Sequence, residues 1–372
     1  MTRTPLGNTL PDFPWDSLAP AKKKATEHPE GIVNLSVGSP VDEVAPGIQL
    51  ALAEAAAHPG YPQTIGTPEL RKAMVTSAAR RYGITDLTES GVLPVVGTKE
   101  AIAWLPTALG LGRGDTVVIP ELAYPTYEVG ARLAGCATVR TDSTVALGPQ
   151  TPSLFFLNSP SNPTGRVLGV EHLRKVVQWA RERDVIVASD ECYLGLGWDD
   201  DRQPLSLLHP EVCGGDHRNL LVIHSLSKTS NLAGYRAGFL AGDEQLIAEL
   251  TLVRKHAGLM VPYPIQAAMT AALDEDTQEQ VQKLRYASRR ATLLRALTDA
   301  GFSIEHSEAG LYLWATRGED CWETVDWFAQ HGILVAPGSF YGPAGQRHVR
   351  VSLTATDERI DAAASRLSRL GA

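Results

Sequence analysis

The chain of 372 residues exceeds the size of one ordinary hydrophobic core, which indicates two domains. Hydrophobic residues make up 44% and charged residues 20%, a composition typical of a globular protein that buries a large core. The net charge of −8 argues against nucleic acid and against an anionic membrane surface as partners.

The beginning of the chain lacks the apolar run of a signal peptide, and no stretch reaches the roughly 18 apolar residues that span a bilayer. The cysteines lie far apart, without a C-x-x-C pair, at Cys136, Cys192, Cys213 and Cys321. We therefore expect neither a disulfide framework nor a structural zinc site, and the histidines form no metal-ligand motif. These features predict a protein of the reducing cytoplasm that holds no metal.

The first part of the chain reads as an arm followed by helices. Residues 10–40 are rich in proline and predict an extended arm with a short helix over 18–27 and a short strand within 32–38. A helix over 47–58 follows. The next helix runs to about Tyr82, with Thr67 as its N-cap and a proline in the first helical position.

From residue 92 onward, apolar strands alternate with helices. We predict strands over 92–96, 116–119, 138–140, 154–157, 185–189, 220–224 and 237–241, with helices over 99–109, 127–134 and 170–183. Continuous apolar strands separated by helices predict a mostly parallel sheet of seven strands, covered by helices on both faces. Ligands of such sheets bind at the carboxyl ends of the strands.

The end of the chain has a different pattern. Helices are predicted over 243–256, 264–273, 277–300, 321–331 and 356–370, and strands over 311–315, 334–335 and 348–353. We therefore predict an α/β protein with a large domain over 45–275. A smaller α+β domain would combine residues 1–44, which include the arm, with residues 276–372.

The segment from Ser225 to Arg236 carries two hydroxyls, a lysine and an arginine directly after a predicted buried strand. A lysine among phosphate-binding groups suits pyridoxal phosphate, because that cofactor carries both an aldehyde and a phosphate. We predict that Lys228 forms the Schiff base. The predicted phosphate ligands are Ser225, Ser227 and Arg236.

Two more motifs follow predicted strands and contain groups that suit the same cofactor. The backbone amides of Thr98 and Lys99, at a helix N-terminus, can meet a phosphate, and the ring of Tyr124 can stack on a flat heterocycle. The alternatives are an ordinary strand–helix turn at residue 97 and a core tyrosine at residue 124.

Another two motifs supply partners for a heterocyclic ring. Asp190 ends a very apolar strand, and a buried carboxylate needs a partner such as a protonated pyridine nitrogen. The amide of Asn162 and the hydroxyl of Tyr193 can reach a phenolate oxygen. The alternatives are a structural turn at residue 162 and a helix cap at residue 190.

In this order the motifs resemble those of the fold-type I pyridoxal-phosphate aminotransferases of class I/II. The matching motifs are G-T-K-E from Gly97, N-P-T-G from Asn162, D-E-x-Y from Asp190 and S-x-S-K with R-x-G from Ser225. The resemblance covers residues 31–370. It implies that Lys228 is also the general acid/base of the proton shift, and it implies the cofactor contacts named above.

The same resemblance implies further contacts. Tyr61 resembles the tyrosine that reaches the phosphate of the neighbouring subunit, which implies a homodimer with sites at the interface. Arg350 resembles the arginine that binds the substrate α-carboxylate, and Gly38 resembles the small residue whose backbone meets that carboxylate. Asn162 is also expected among the substrate contacts.

The stretches 10–16 and 37–42 resemble the actinobacterial succinyldiaminopimelate transaminases of lysine biosynthesis. This implies that glutamate donates an amino group to N-succinyl-2-amino-6-oxoheptanedioate. Other substrates stay open: aspartate or aromatic amino acids for another aminotransferase, and cystathionine for a C-S lyase. A cofactor-sensing regulator would need a DNA-binding helix-turn-helix, and a nicotinamide dehydrogenase would need a G-x-G-x-x-G motif. The sequence provides a sign of neither.

Overall fold

The computed structural model describes residues 5–369. Its α-helices are α1 (Ala19–Thr26), α2 (Pro46–Ala55), α3 (Pro68–Tyr82), α4 (Thr98–Ala108), α5 (Thr126–Ala134), α6 (Val170–Arg183), α7 (Pro210–Cys213), α8 (Glu244–Ala257), α9 (Tyr263–Asp274), α10 (Thr277–Asp299), α11 (Cys321–Gln330) and α12 (Asp357–Ser368). Its strands are β1 (Val33–Asn34), β2 (Val92–Val96), β3 (Thr116–Ile119), β4 (Ala137–Arg140), β5 (Leu154–Asn158), β6 (Ile186–Asp190), β7 (Leu220–Ser225), β8 (Ala237–Gly242), β9 (Ser303–Glu305), β10 (Tyr312–Thr316), β11 (Ile333–Leu334), β12 (Ala336–Pro337) and β13 (Val349–Ser352).

The central sheet has seven strands in the order β2-β8-β7-β6-β5-β3-β4. All its neighbouring pairs are parallel except those of β8, which runs antiparallel to both β2 and β7. The predicted seven-stranded, mostly parallel sheet is thus confirmed. The antiparallel direction of β8 follows from the link after β7, which is too short for a crossover helix and returns the chain directly.

Both faces of this sheet are buried, which explains the continuous apolar strands. In β7, Leu220 and Val222 join one core together with residues of α3, α6 and α9. Leu221 and Ile223 face the other side and join a second core with residues of α4, α5 and α8. The motifs at the strand ends therefore have a rigid support.

A second unit is built from both ends of the chain. Strands β12, β13, β10 and β9 form an antiparallel sheet, and β1 pairs in parallel with β11. Its core combines Leu18, Val33 and Leu35 with buried residues of α10, α11 and α12. The predicted domain limits at residues 44/45 and 275/276 stay predictions.

Most predicted elements agree with the structure within a few residues, and the main differences concern short elements. The strand within 32–38 shortens to Val33–Asn34, although the backbone of Leu35 still donates to Leu334 and accepts from Ser352. Strand β9 was not predicted, since its partly exposed residues lack an apolar run. In place of the single strand predicted over 334–335, the structure has two short strands, β11 and β12, of two residues each. Residue 370, the predicted end of the last helix, lies outside the described residues.

Across residues 5–369, no helix combines the length and the apolar character that crossing a membrane requires.

Gly242 at the end of β8 offers a test of how tightly the central sheet is packed. Its φ is +139°, and a Cβ there would collide with the carbonyl oxygen of Leu220 in β7. We expect Gly242→Ala to lower the free energy of unfolding by about 3 kcal/mol or more, because the collision adds to backbone strain. Gly110→Ala is the control, since it has φ +72° and open space around it. Urea denaturation of both variants checks the difference, and equal losses would contradict it.

Candidate active site

A cavity of about 510 Å³ lies at the carboxyl ends of β5, β6 and β7, against the second unit. Every predicted site residue except Tyr61 lines it: Gly38, Thr98, Lys99, Tyr124, Asn162, Asp190, Tyr193, Ser225, Ser227, Lys228, Arg236 and Arg350. Tyr61 lies away from it, and its side chain is 97% exposed on the surface of the same chain. The tertiary structure thus brings together groups that are more than three hundred residues apart in sequence, as Gly38 and Arg350 are.

Lys228 follows β7 and extends into this cavity. Its Nζ donates a hydrogen bond to the carbonyl oxygen of Gly38 at 2.5 Å. Burial lowers the pKa of this amine below its usual value, and the nearby guanidinium groups of Arg350 and Arg236 add to the effect, while Tyr312 opposes it. A lysine with a lowered pKa is more often neutral, which is the form that attacks carbonyls and accepts protons.

Asp190 is the last residue of β6 and is buried. Its Oδ2 accepts from the hydroxyl of Tyr127 at 2.7 Å, and its Oδ1 accepts from the backbone N–H of Cys192 at 3.2 Å. Burial raises the pKa of the carboxyl group, and both hydrogen bonds oppose this shift. Because both donors are neutral, neither balances a carboxylate charge, so a cationic partner from a ligand would be favoured.

The turn between β2 and α4 forms a cradle with the loop between β7 and β8. Gly97 precedes the helix with φ +78°, and a Cβ on it would collide with the guanidinium group of Arg236. The first amides of α4 lack intrahelical partners, and the hydroxyls of Ser225 and Ser227 line the same side of the cavity. Helix amides, hydroxyls and a guanidinium are the donor set that a phosphate dianion prefers.

Tyr124 lies at the cavity beside this cradle. The Nζ of Lys99 donates to the Tyr124 hydroxyl at 3.2 Å and to the hydroxyl of Thr126 at 2.9 Å. The ring of Tyr124 stands edge-on to Tyr127, with an interplanar angle of 83°. These contacts fix the tyrosine ring at the rim, where a flat ligand can pack against it.

Arg350, on β13, is almost fully buried on the opposite side of the cavity. Its Nη1 donates to Oδ1 of Asn162 and its Nη2 to the carbonyl oxygen of Ser36, each at 2.8 Å. The guanidinium carbon lies 3.9 Å from the ring centroid of Tyr312. Asn162 uses its oxygen for Arg350, so its amide N–H groups stay available as donors.

Sequence reasoning missed several residues of this site. Tyr312 shares a hydrogen bond of 3.1 Å with the hydroxyl of Tyr193, and its own hydroxyl fills the space that a Gly38 side chain would need. Because Tyr312 lies in a buried strand, its sequence pattern is that of a core residue and does not indicate a functional role. Tyr127 supports Asp190, and Trp15 of the arm donates to Ser36 at 3.4 Å. The resemblance of the stretch 10–16 was the signal that could have pointed to Trp15.

Between residues 5 and 369, no three side chains of His, Cys, Asp or Glu are grouped in a way that could hold a metal ion.

The comparisons with known proteins agree on one family. The sequence model for aminotransferase class I and II matches residues 30–367, so the chain belongs to this family. It is 67% identical over 360 residues to the probable aminotransferase Rv1178 of Mycobacterium tuberculosis, covering 97% of this chain and 86% of that one. It is 57% identical to the 4-dedimethylamino-4-oxo-anhydrotetracycline transaminase OxyQ of Streptomyces rimosus, covering 96% and 99%.

More distant relatives include enzymes of diaminopimelate metabolism. The LL-diaminopimelate aminotransferase of Aquifex aeolicus is 31% identical, with 97% of each chain covered. Among solved structures, substrate-bound BacF of Bacillus subtilis has a TM-score of 0.89 at 27% identity, covering 100% of this chain and 98% of that one. A probable N-succinyldiaminopimelate aminotransferase of Thermus thermophilus has a TM-score of 0.86 at 27% identity, covering 96% and 100%.

Enzymes of this family and fold depend on pyridoxal phosphate, and the cavity fits that cofactor. The cradle that Gly97 leaves open beside Arg236 matches the phosphate. Asp190, with neutral donors only, matches a protonated ring nitrogen, and Lys228 matches the aldehyde.

The lowered pKa of Lys228 predicts a pH dependence of stability in cofactor-free protein. Between its folded pKa and its usual value of 10.5, the folded state binds fewer protons here than the unfolded state. Stability relative to a Lys228→Met variant should therefore rise with pH through this range and level off above it. Thermal unfolding of both proteins at a series of pH values measures the difference. A difference in melting temperature that falls as pH rises would be the contrary result.

Proposed function

We propose that this aminotransferase moves the amino group of glutamate to N-succinyl-2-amino-6-oxoheptanedioate, on the diaminopimelate route to lysine. The reaction type rests on one observation: Lys228, Asp190 and Arg350 line a single cavity beside a phosphate cradle. The choice of acceptor is supported by the resemblance in the stretches 10–16 and 37–42. Relatives and structures with diaminopimelate names also support it.

In the proposed mechanism, bound pyridoxal phosphate supplies an aldehyde for covalent attachment and a ring that withdraws electrons. The phosphate would be held by Ser225, Ser227 and Arg236 together with the amides of Thr98 and Lys99. The Asp190 carboxylate would keep a proton on the ring nitrogen, Asn162 and Tyr193 would donate to the ring oxygen, and Tyr124 would stack on the ring.

Lys228 is the proposed acid and base. Its Nζ would attach to the aldehyde of the cofactor in the resting enzyme and, when free, would accept the proton of the substrate α-carbon and donate it again. The fork of Arg350 and the backbone at Gly38 bind the α-carboxylate, which keeps the α-carbon next to this amine. Asn162 contributes to the same contact through its bond to Arg350.

Lys99 provides a cation for a second carboxylate. Four cationic side chains line the cavity: Lys99, Lys228, Arg236 and Arg350. The last three have the roles described above. The hydrogen-bond partners of the Lys99 Nζ are the neutral hydroxyls of Tyr124 and Thr126, so its charge can pair with a distal substrate carboxylate. Both glutamate and the proposed acceptor carry one.

A second candidate substrate is a 4-oxo-anhydrotetracycline compound. The relative from Streptomyces rimosus carries the name of a transaminase for such a compound. The outer part of the cavity favours it, because the exposed Phe13 and Val37 line it with apolar surface together with Trp15. An apolar mouth also suits the methylene chain of the first candidate, so only turnover separates the two.

A homodimer and a cytoplasmic location belong to the same proposal. The almost fully exposed Tyr61 is free on its own chain to reach the phosphate cradle of a partner subunit, as the family resemblance implies. All four cysteines are free thiols, which supports a reducing compartment. Amino acids and 2-oxo acids are the proposed small-molecule partners.

A donor and acceptor screen on the purified protein tests the proposed reaction. We expect turnover with glutamate and N-succinyl-diaminopimelate to exceed turnover with aspartate, aromatic amino acids or cystathionine by about 100-fold, since a site built to pair the distal polar groups of the first two leaves its own polar groups unpaired with the others. Absorbance of the bound cofactor follows each half-reaction. Release of pyruvate from cystathionine would support a C-S lyase instead. A Lys228→Ala protein that still transaminates would refute the assignment of the base.

Lys99→Met tests the distal carboxylate contact. We expect KM for glutamate to rise about 5- to 30-fold, the equivalent of losing about 1–2 kcal/mol from a partly exposed ion pair. The KM for alanine, which has no distal carboxylate, should stay within about two-fold. Thr126→Val is a matched control, since it removes a partner of Lys99 but keeps the charge. Equal changes for glutamate and alanine would exclude this role.

A further inference from the structure

A buried polar network lies beneath the cavity and joins the loop of Lys228 to the segment of Gly38. We call it the Arg289 network; it consists of Asp42, Asn231, Gln282, Tyr286 and Arg289. Three of its members stand on one face of α10, at successive steps of three or four residues. None of them lines the cavity itself.

Arg289 is the centre of this network, and only 3% of its side chain is exposed. Its Nη1 and Nη2 donate to the two carboxylate oxygens of Asp42 at 2.7 and 2.6 Å, and its Nε donates to Asp357 at 2.6 Å. A paired contact of this kind restricts both the distance and the orientation of the carboxylate. Asp42 is four residues beyond Gly38, so the pair holds that segment against α10 and α12.

Gln282 extends the connection from Asp42 to the Lys228 loop. Its Nε2 donates to Oδ2 of Asp42 at 2.7 Å, and its Oε1 accepts from Nδ2 of Asn231 at 2.9 Å. Asn231 is three residues after Lys228 and has φ +58°, so its backbone is restrained. The same Nδ2 donates to the carbonyl oxygen of Glu43 at 3.2 Å.

Tyr286 provides the second connection to the loop. Its hydroxyl donates to the backbone carbonyl oxygen of Lys228 at 3.2 Å, and its ring is buried one helical turn from Arg289. The loop is therefore attached to α10 at Lys228 itself and again three residues later, at Asn231. Above this attachment, the Nζ of Lys228 meets the carbonyl oxygen of Gly38.

We propose that Arg289, Gln282 and Asp42 are positioning residues for transamination. They set the distance between the Lys228 amine and the Gly38 backbone, and thus between the base and the site of the substrate α-carboxylate. The proposal rests on the roles proposed above for Lys228 and Gly38. A loop and a turn would shift independently without such a connection, whereas a connected set of buried hydrogen bonds restricts their relative positions.

The two variants Arg289→Met and Gln282→Met test this proposal in the cofactor-loaded protein. We expect kcat/KM to fall about 10- to 100-fold in each, because a shift of about 1 Å between base and substrate has that effect. The loss should be the same factor for glutamate and alanine, since the shared α-carboxylate is affected rather than a side chain. The visible circular dichroism of the bound cofactor should change as well, because a shift of Lys228 changes the orientation of the cofactor attached to it.

Arg366→Met is the matched control. Arg366 is also 3% exposed and also bonds a carboxylate and backbone oxygens, those of Glu30 and Gly332, in the second unit. It should lower the melting temperature as Arg289→Met does, yet leave kcat/KM and the visible dichroism unchanged. Equal behaviour of the two arginine variants would overturn the proposal. If Arg289→Met does not fold, Gln282→Met decides, because it removes neutral hydrogen bonds only.

The variant Asp42→Ala, alone and combined with Arg289→Met, tests whether the network acts as one unit. The double variant should lose no more activity than either single variant, since each already releases the Gly38 segment. Additive losses would contradict a common unit.

Lys228→Ala separates this test from that of the proposed function. If the visible band of the Schiff base persists without Lys228, the proposed function fails. If the band disappears but Arg289→Met behaves like Arg366→Met, only the network proposal fails.

Discussion

The hydrogen bond between the Lys228 amine and the carbonyl oxygen of Gly38 links the two halves of this molecule. It joins the loop between β7 and β8 to a segment that packs on the second unit. The carbonyl oxygen can accept from the amine in either protonation state, while burial favours the neutral state. Gly38 has to lack a side chain, because the hydroxyl of Tyr312 occupies the space beside it. One contact thus constrains a glycine, a lysine and a strand of the second unit.

The direction of β8 has a comparable influence on the other side of the cavity. Since β8 returns antiparallel beside β7, the chain passes the cavity twice within a few residues, first at Lys228 and then at Arg236. The same strand pairs with β2, so Arg236 comes to lie against Gly97 at the start of α4. The phosphate cradle is therefore a product of strand order, and its conformation depends on a glycine at residue 97.

The sequence predicted the architecture well for strands that are buried on both faces of a sheet. Seven apolar runs gave the strands of the central sheet, and the turn-forming residues after them marked the ends where the cavity lies. It failed at β9, which is partly exposed and has no apolar pattern, and it overestimated the length of the strand within 32–38, of which only the two residues of β1 are strand. Tyr312 and Tyr127 were missed for a related reason, since a functional tyrosine in a buried element has the same signal as a core residue.

The sequence by itself determined which chemical groups this protein can bring to a cofactor, because motif residues follow strands that local patterns reveal. Tertiary structure alone decided how those groups meet. Arg350 approaches Asn162 across 188 positions of sequence, and Arg289 meets Asp42 across 247. Such pairs leave no local signal, since their contact depends on how two separately formed units pack. The lowered pKa of Lys228 has the same origin: a lysine acquires it only when the surrounding elements exclude water.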